Sequence, residues 1–245
     1  MTTTRRAVLS GRVAALAAVA LSVARLASAE MCFDVNLHFG KRAPSRAVVE
    51  SMENEAASIW ESYGLRIQWP TTPNSARCAF VRGSFEVFID ANMRQALRNG
   101  ALGRTWVTPA AIEHAPIQID LGATERVLRS LRVSELMRLV GRRFATPSDI
   151  GRALGRVLAH EIGHLILAAR GHQRRGLMRP VFFAGDLVEP QRQSYNLSDA
   201  ELARLREREV ELNARSSASD IAPSKTIPSG FGRLDRPDVR PPRVE

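Results

Sequence analysis

The stretch Ser148-Asp-Ile-Gly-Arg-Ala-Leu-Gly-Arg-Val-Leu-Ala-His160-Glu161-Ile-Gly-His164-Leu-Ile-Leu-Ala-Ala169 sets Ile150, Leu154, Val157, Leu158, Ile162, Leu165 and Ile166 at helical spacing. It predicts one long amphipathic helix that opens at Ser148 and runs to about Ala169. Side chains four residues apart leave the same face of a helix one turn apart, so His160 and His164 can ligate a single metal ion. Glu161 is turned by about 100° from His160, which sets its carboxylate beside a water at that metal as a general base without filling the coordination sphere. For five His and 16 Glu in 245 residues, chance matches to such a pattern number roughly 0.007, so coincidence is a poor account of it.

Zinc bound this way needs a third protein ligand and leaves a fourth position for water. Besides the pair, the chain holds only His38, His114 and His172. His172 is the best placed, provided the chain turns back first. A straight helix would carry it roughly 12 Å beyond His164 along the axis. Gly171 is expected to make that turn in a left-handed conformation. Gly176-Leu-Met178-Arg-Pro180 follows as a second turn containing one polarizable side chain.

Working outward, Cys32 to Phe39 alternates apolar with polar residues, the period of a half-buried strand. From Ser45, the positions Val48, Val49, Met52, Ala56, Ile59 and Trp60 mark a second long helix, which Gly64 closes. Leu65–Trp69 and Phe85–Ile89 read as strands, with shorter candidates at Ala101–Val107 and Ile117–Ile119. Ser198-Asp-Ala-Glu201 is a capping box that opens a last helix reaching about Arg215. The fold class predicted is α/β (α+β): a small twisted mixed sheet packed on two long helices, with a C-terminal helix.

Taken together, the HExxH helix, the glycine turn, His172 and the Met178 turn resemble the metzincin clan of zinc peptidases, closely over Ser148 to Pro180. The resemblance implies a zincin-like fold, one catalytic zinc held by His160, His164 and His172, Glu161 as general base, and Met178 lying beneath the metal. The third histidine stands two residues later than in HExxHxxGxxH, where the glycine would fall at Leu167 and the histidine at Arg170. The other large zincin group takes a glutamate as third ligand, which here would be Glu189 or Glu201. The resemblance further implies an extended peptide substrate lying along an edge strand, either Ala101–Val107 or Ile117–Ile119. Val181-Phe182-Phe183 would wall the cleft or join the core, and Tyr195 is a candidate to reach the metal or an oxyanion.

The two ends carry location signals. Residues 1–29 hold Arg5-Arg6, an apolar run from Val13 to Ala24 and Ala27-Ser28-Ala29, the plan of a secretory signal peptide cleaved after Ala29. The run is shorter than the roughly 20 residues of a membrane span. Arg5-Arg6 fits both a twin-arginine signal and a generic basic leader, so the export route stays open and the expected location is secreted or periplasmic. Cys32 lacks the leucine that a lipoprotein signal sets before its cysteine. The even pair Cys32 and Cys78 predicts one disulfide, worth roughly 4 kcal/mol by loop entropy. Residues 30–215 form the expected catalytic domain, and 216–245, with five prolines, a disordered tail.

The net charge of +10 rests on 33 arginines and two lysines, and a basic balance without a binding module predicts no nucleic-acid partner. The function that follows is an exported zinc-dependent endopeptidase acting on protein or peptide substrates. Two other classes keep the same histidines: a zinc-dependent amidase on cell-wall or non-peptide amides, and a non-catalytic zinc-stabilised binding module, which has no use for Glu161.

Overall fold

The computed structural model describes residues 31–91, 93, 101–107, 115–142 and 144–219. The proposed signal segment 1–29, residues 220–245 of the tail, and His114 lie outside them.

Strand β1 (Met31–Phe39) leads into helix α1 (Arg46–Glu61), and Gly64 at φ 77° turns the chain into β2 (Leu65–Gln68). β2 pairs with β1 in parallel, Met31 opposite Leu65, as a strand–helix–strand crossover requires. Strand β3 (Ser84–Asp90) joins the other side of β1, then come β4 (Gly103–Thr105) and β5 (Ala115–Asp120). The sheet order is β2-β1-β3-β5-β4, all parallel except the antiparallel pair of β4 with β5. The two short candidates are therefore not equivalent. β5 is interior, and β4 forms the edge.

One sheet face carries Phe33, Val35, Phe85, Val87, Ile89, Ile117 and Ile119, all buried. Against it lie α1 and α4 (Pro147–Ile166), which carries the histidine pair. Between β5 and α4 run α2 (Leu121–Arg129) and α3 (Val133–Val140), neither of which the periodicity announced. The short α5 (Ala184–Val188) and the C-terminal α6 (Asp199–Ser219) complete the chain. The result is a mixed α/β fold with a five-stranded sheet.

Besides small shifts at the strand ends, three ends of α4 and α6 differ from the sequence reading. α4 starts at Pro147 because Thr146, not Ser148, is the cap: Thr146 and Asp149 form a reciprocal capping box with proline in the first turn. The same helix stops at Ile166 instead of Ala169. α6 runs to Ser219, beyond Arg215, since Ser216-Ser-Ala-Ser contains no helix breaker and the first proline is Pro223. The expected disulfide is present, joining Cys32 on β1 to Cys78. Among the described residues no helix is long and apolar enough to cross a membrane.

Candidate metal centre

His160 and His164 lie on the buried C-terminal half of α4. The Nδ1 of His160 is 2.8 Å from the main-chain oxygen of Leu177, and the Nδ1 of His164 is 2.7 Å from that of Ala169. A carbonyl can only accept, so both rings carry their proton on Nδ1 and present an Nε2 lone pair. Those two Nε2 atoms are 3.1 Å apart. Two facing acceptors repel unless something positive lies between them. For ligands about 2.0 to 2.1 Å from zinc in tetrahedral geometry, the expected separation is about 3.3 Å.

The third histidine arrives by a turn made at a different residue from the one expected. Leu167 caps α4, and Ala168, at φ 48°, takes the left-handed conformation that reverses the chain. Gly171 is not in that region, so the assignment of the turn to Gly171 is corrected. The reversal sits directly after the last helical turn, where the amide of Ala169 still bonds the oxygen of His164. His172 then stacks on His160, with ring centroids 5.3 Å apart, and meets His164 edge-on at 4.9 Å. One ligand atom from each of the three lies within 4.8 Å of the others. The donor set is therefore three imidazoles, two of them with their outer nitrogens fixed by main-chain carbonyls, which is how metal-ligating histidines are commonly oriented. These residues could hold a metal ion, zinc being among those that take imidazole ligands.

Burial pushes His160 down to about 3 and lowers His164 as well, so both rings are neutral, the form that ligates. Glu161 is buried beside them, and burial raises its carboxyl to about 8. Met178 is buried under the same helix. Its sulfur packs on Gly163, where a side chain would collide with it, and the Gln173 amide bonds the Met178 oxygen at 2.8 Å, closing the loop that follows His172.

The other candidates lie elsewhere. His38 is on β1, paired with Glu86 at 2.6 Å and stacked on Phe88. The carboxylate of Glu201 accepts from the Ser198 amide and hydroxyl in the predicted capping box, and the Glu189 main-chain oxygen is bound by Arg156. Neither glutamate joins the cluster. Tyr195 does not reach it either. Its hydroxyl donates to the Asp186 oxygen at 2.9 Å, and its ring stacks on Phe182, whose edge meets His160 at 5.3 Å. The aromatic ring between them is what keeps Tyr195 from the histidines.

A cleft of about 800 Å³ opens at the histidines and Glu161, bounded by β4, by Val127 and Val157, and by Pro180, Val181 and Phe182. Val181 and Phe182 thus line it, while Phe183 is exposed. Sequence reasoning missed Gly103, Val127 and Val157 as lining residues. Arg170 also lines the cleft and donates to the Val107 oxygen at 3.1 Å.

No family model matches the chain, and no curated protein is similar to it. Among solved structures, a chain of the GM1-bound form of an ECX AB5 holotoxin is similar, at 15% identity over 76% of this chain and 82% of that one, with a TM-score of 0.40.

Proposed function

We propose that the chain is an exported zinc-dependent endopeptidase of the metzincin kind. The observation that carries this reading is the convergence of His160, His164 and His172 beside a buried Glu161, at the floor of a cleft that opens on a sheet edge. A zinc ion held by the three imidazoles would supply Lewis acidity toward a scissile carbonyl and lower the pKa of water.

Glu161 takes a proton from water and returns it to the leaving amine. Its carboxylate is suited to this because no hydrogen bond or ion pair among the described residues occupies it. The outer edge of β4 offers main-chain donors and acceptors along which an extended peptide can lie as an added strand. Val127, Val157, Val181 and Phe182 make the adjoining walls apolar, which keeps water from competing there. The Cys32–Cys78 bond supports an oxidising, exported setting.

The test is metal analysis of the purified chain alongside hydrolysis of a denatured-protein substrate. Wild type is expected to hold one zinc and to cleave. Glu161→Ala keeps the zinc and loses about 10²- to 10⁴-fold in turnover, whereas His160→Ala and His164→Ala lose both. Undiminished turnover in Glu161→Ala would end the assignment of the base.

A further inference from the structure

Glu161 presents a problem of positioning. A general base must be held within reach of its proton to a few tenths of an ångström, usually by a hydrogen bond from a neighbouring group. Among the described residues, none donates to Glu161. What stands against its side chain is the edge strand, at Gly103.

Gly103 pairs with Ile119 in the antiparallel ladder, which turns its Cα toward the buried face and α4. A methyl group there would lie 2.8 Å from Oε1 and 2.9 Å from Cγ of Glu161, and 2.8 Å from Cγ1 of Val157 one turn earlier. Carbon atoms pack at about 3.5 to 4.0 Å, so none of these contacts is tolerable. The backbone at 103 is not left-handed, and any residue can adopt it. Glycine serves here for space, not for conformation.

We infer that Gly103 is a positioning residue for Glu161: its missing side chain lets β4 lie directly on the glutamate and seat the carboxylate sterically, in place of a hydrogen bond. This rests on Glu161 being the base. α4 is buried along its length and holds its place, whereas β4 is a three-residue edge strand. A side chain at 103 therefore swings Glu161 out of its seat or lifts the strand.

Two measurements test it. The first is a double-mutant cycle on the metal-free chain, read as thermal midpoints. Gly103→Ala is expected to lower the midpoint by roughly 3–10 °C, and by no more than half as much in a Glu161→Ala background, where Cγ and the carboxylate are gone. Equal shifts in the two backgrounds overturn the inference, and so does failure to fold in both. The second uses the zinc-loaded chain on a peptide substrate. Gly103→Ala is expected to lose at least about tenfold in kcat with KM and zinc content retained, and Gly103→Ala with Val157→Ala regains turnover because the new methyl can settle toward position 157. Wild-type kcat in Gly103→Ala, or a loss carried by KM, refutes the seat. A wild type that hydrolyses no peptide removes the peptidase reading, while the metal-free cycle still decides whether Gly103 seats Glu161.

Discussion

The main-chain oxygen of Leu177 accepts the Nδ1 proton of His160 at 2.8 Å, so the residue just before Met178 decides which nitrogen of His160 faces His164. The Ala169 oxygen does the same for His164. Both orienting groups belong to the protein backbone and stand on a core that extends from β2 to α6. Two of the three imidazoles are therefore oriented by the fold itself. Treatment with a chelator is expected to abolish hydrolysis while leaving far-UV circular dichroism unchanged, and added zinc to restore activity. Unfolding on chelation would instead mark zinc as the source of the fold's stability.

His172 is the most exposed of the three histidines, and among the described residues no main-chain carbonyl bonds its ring. His172→Ala should weaken zinc binding far more than Arg170→Ala, which removes only the bridge to Val107. Glu189→Gln and Glu201→Gln should leave zinc affinity unchanged, because neither carboxylate approaches the cluster. Competition with a chromophoric chelator measures all four. Loss of zinc in either glutamate variant would overturn the three-histidine set.

The turn before His172 makes a prediction opposite to the one that the sequence suggests. Ala168 holds φ 48°, a conformation that costs a non-glycine residue roughly 1–2 kcal/mol. Ala168→Gly should stabilise the chain by about 1 kcal/mol with zinc content intact. A methyl at Gly171 would meet nothing within 4 Å, so Gly171→Val should alter neither stability nor zinc binding by more than about 0.5 kcal/mol. Urea midpoints of the two variants decide between the turns.

How far the sequence was legible follows from where each reason lies along the chain. His160, Glu161 and His164 could be read because a helix carries its own geometry, and their spacing alone places them. The strands could be read from alternation, and the disulfide from an even cysteine count. The turn at Ala168 could not, since a left-handed alanine is held there by its neighbours against its own preference. α2 and α3 are short, and α2 begins where the Asp120 carboxylate accepts from the Ala123 amide at 2.7 Å, a cap hidden at the end of a strand. Gly103 was unreadable for a different reason. What it makes room for lies on another element, far along the sequence.

Asp149 gives the fold an acid-sensitive joint. Burial pushes its carboxyl up, but hydrogen bonds from the Thr146 amide and hydroxyl, together with Arg142 and Arg152, more than offset this and leave it lowered. The folded value lies below the unfolded one of about 3.9. Ionised Asp149 therefore stabilises the chain above that pH, and the contribution fades as pH falls through the folded value. Asp149→Asn should cost about 1–2 kcal/mol at pH 7, and the gap to wild type should narrow toward pH 3. Urea midpoints across that range measure it, and a constant gap would refute the linkage.

Arg156 stands one turn before His160, and its side chain is fully buried. Its Nε donates to the Glu55 carboxylate at 2.8 Å, its Nη1 to the Asp186 oxygen, and its Nη2 to the oxygens of Glu189 and Gln191 at 2.6 and 3.1 Å. The guanidinium also lies over the Tyr195 ring, 4.5 Å from its centroid. One side chain thus ties α4 to α1 and to the segment that follows the cleft wall. Arg156→Met takes the Arg156 donors from the Glu189 and Gln191 oxygens and leaves the Asp186 oxygen with the Tyr195 hydroxyl, and Glu55 keeps only Arg192, which bonds its other oxygen at 2.8 Å. The expected loss is about 3–5 kcal/mol. Lysine recovers little of it, because one ammonium cannot match a planar fork that serves the carboxylate and the carbonyls together. Zinc content should persist in folded Arg156→Met, since the carbonyls that orient His160 and His164 belong to Leu177 and Ala169. Urea denaturation with metal analysis checks both parts. A loss below about 1 kcal/mol would mean that apolar packing alone holds residues 184–195 in place.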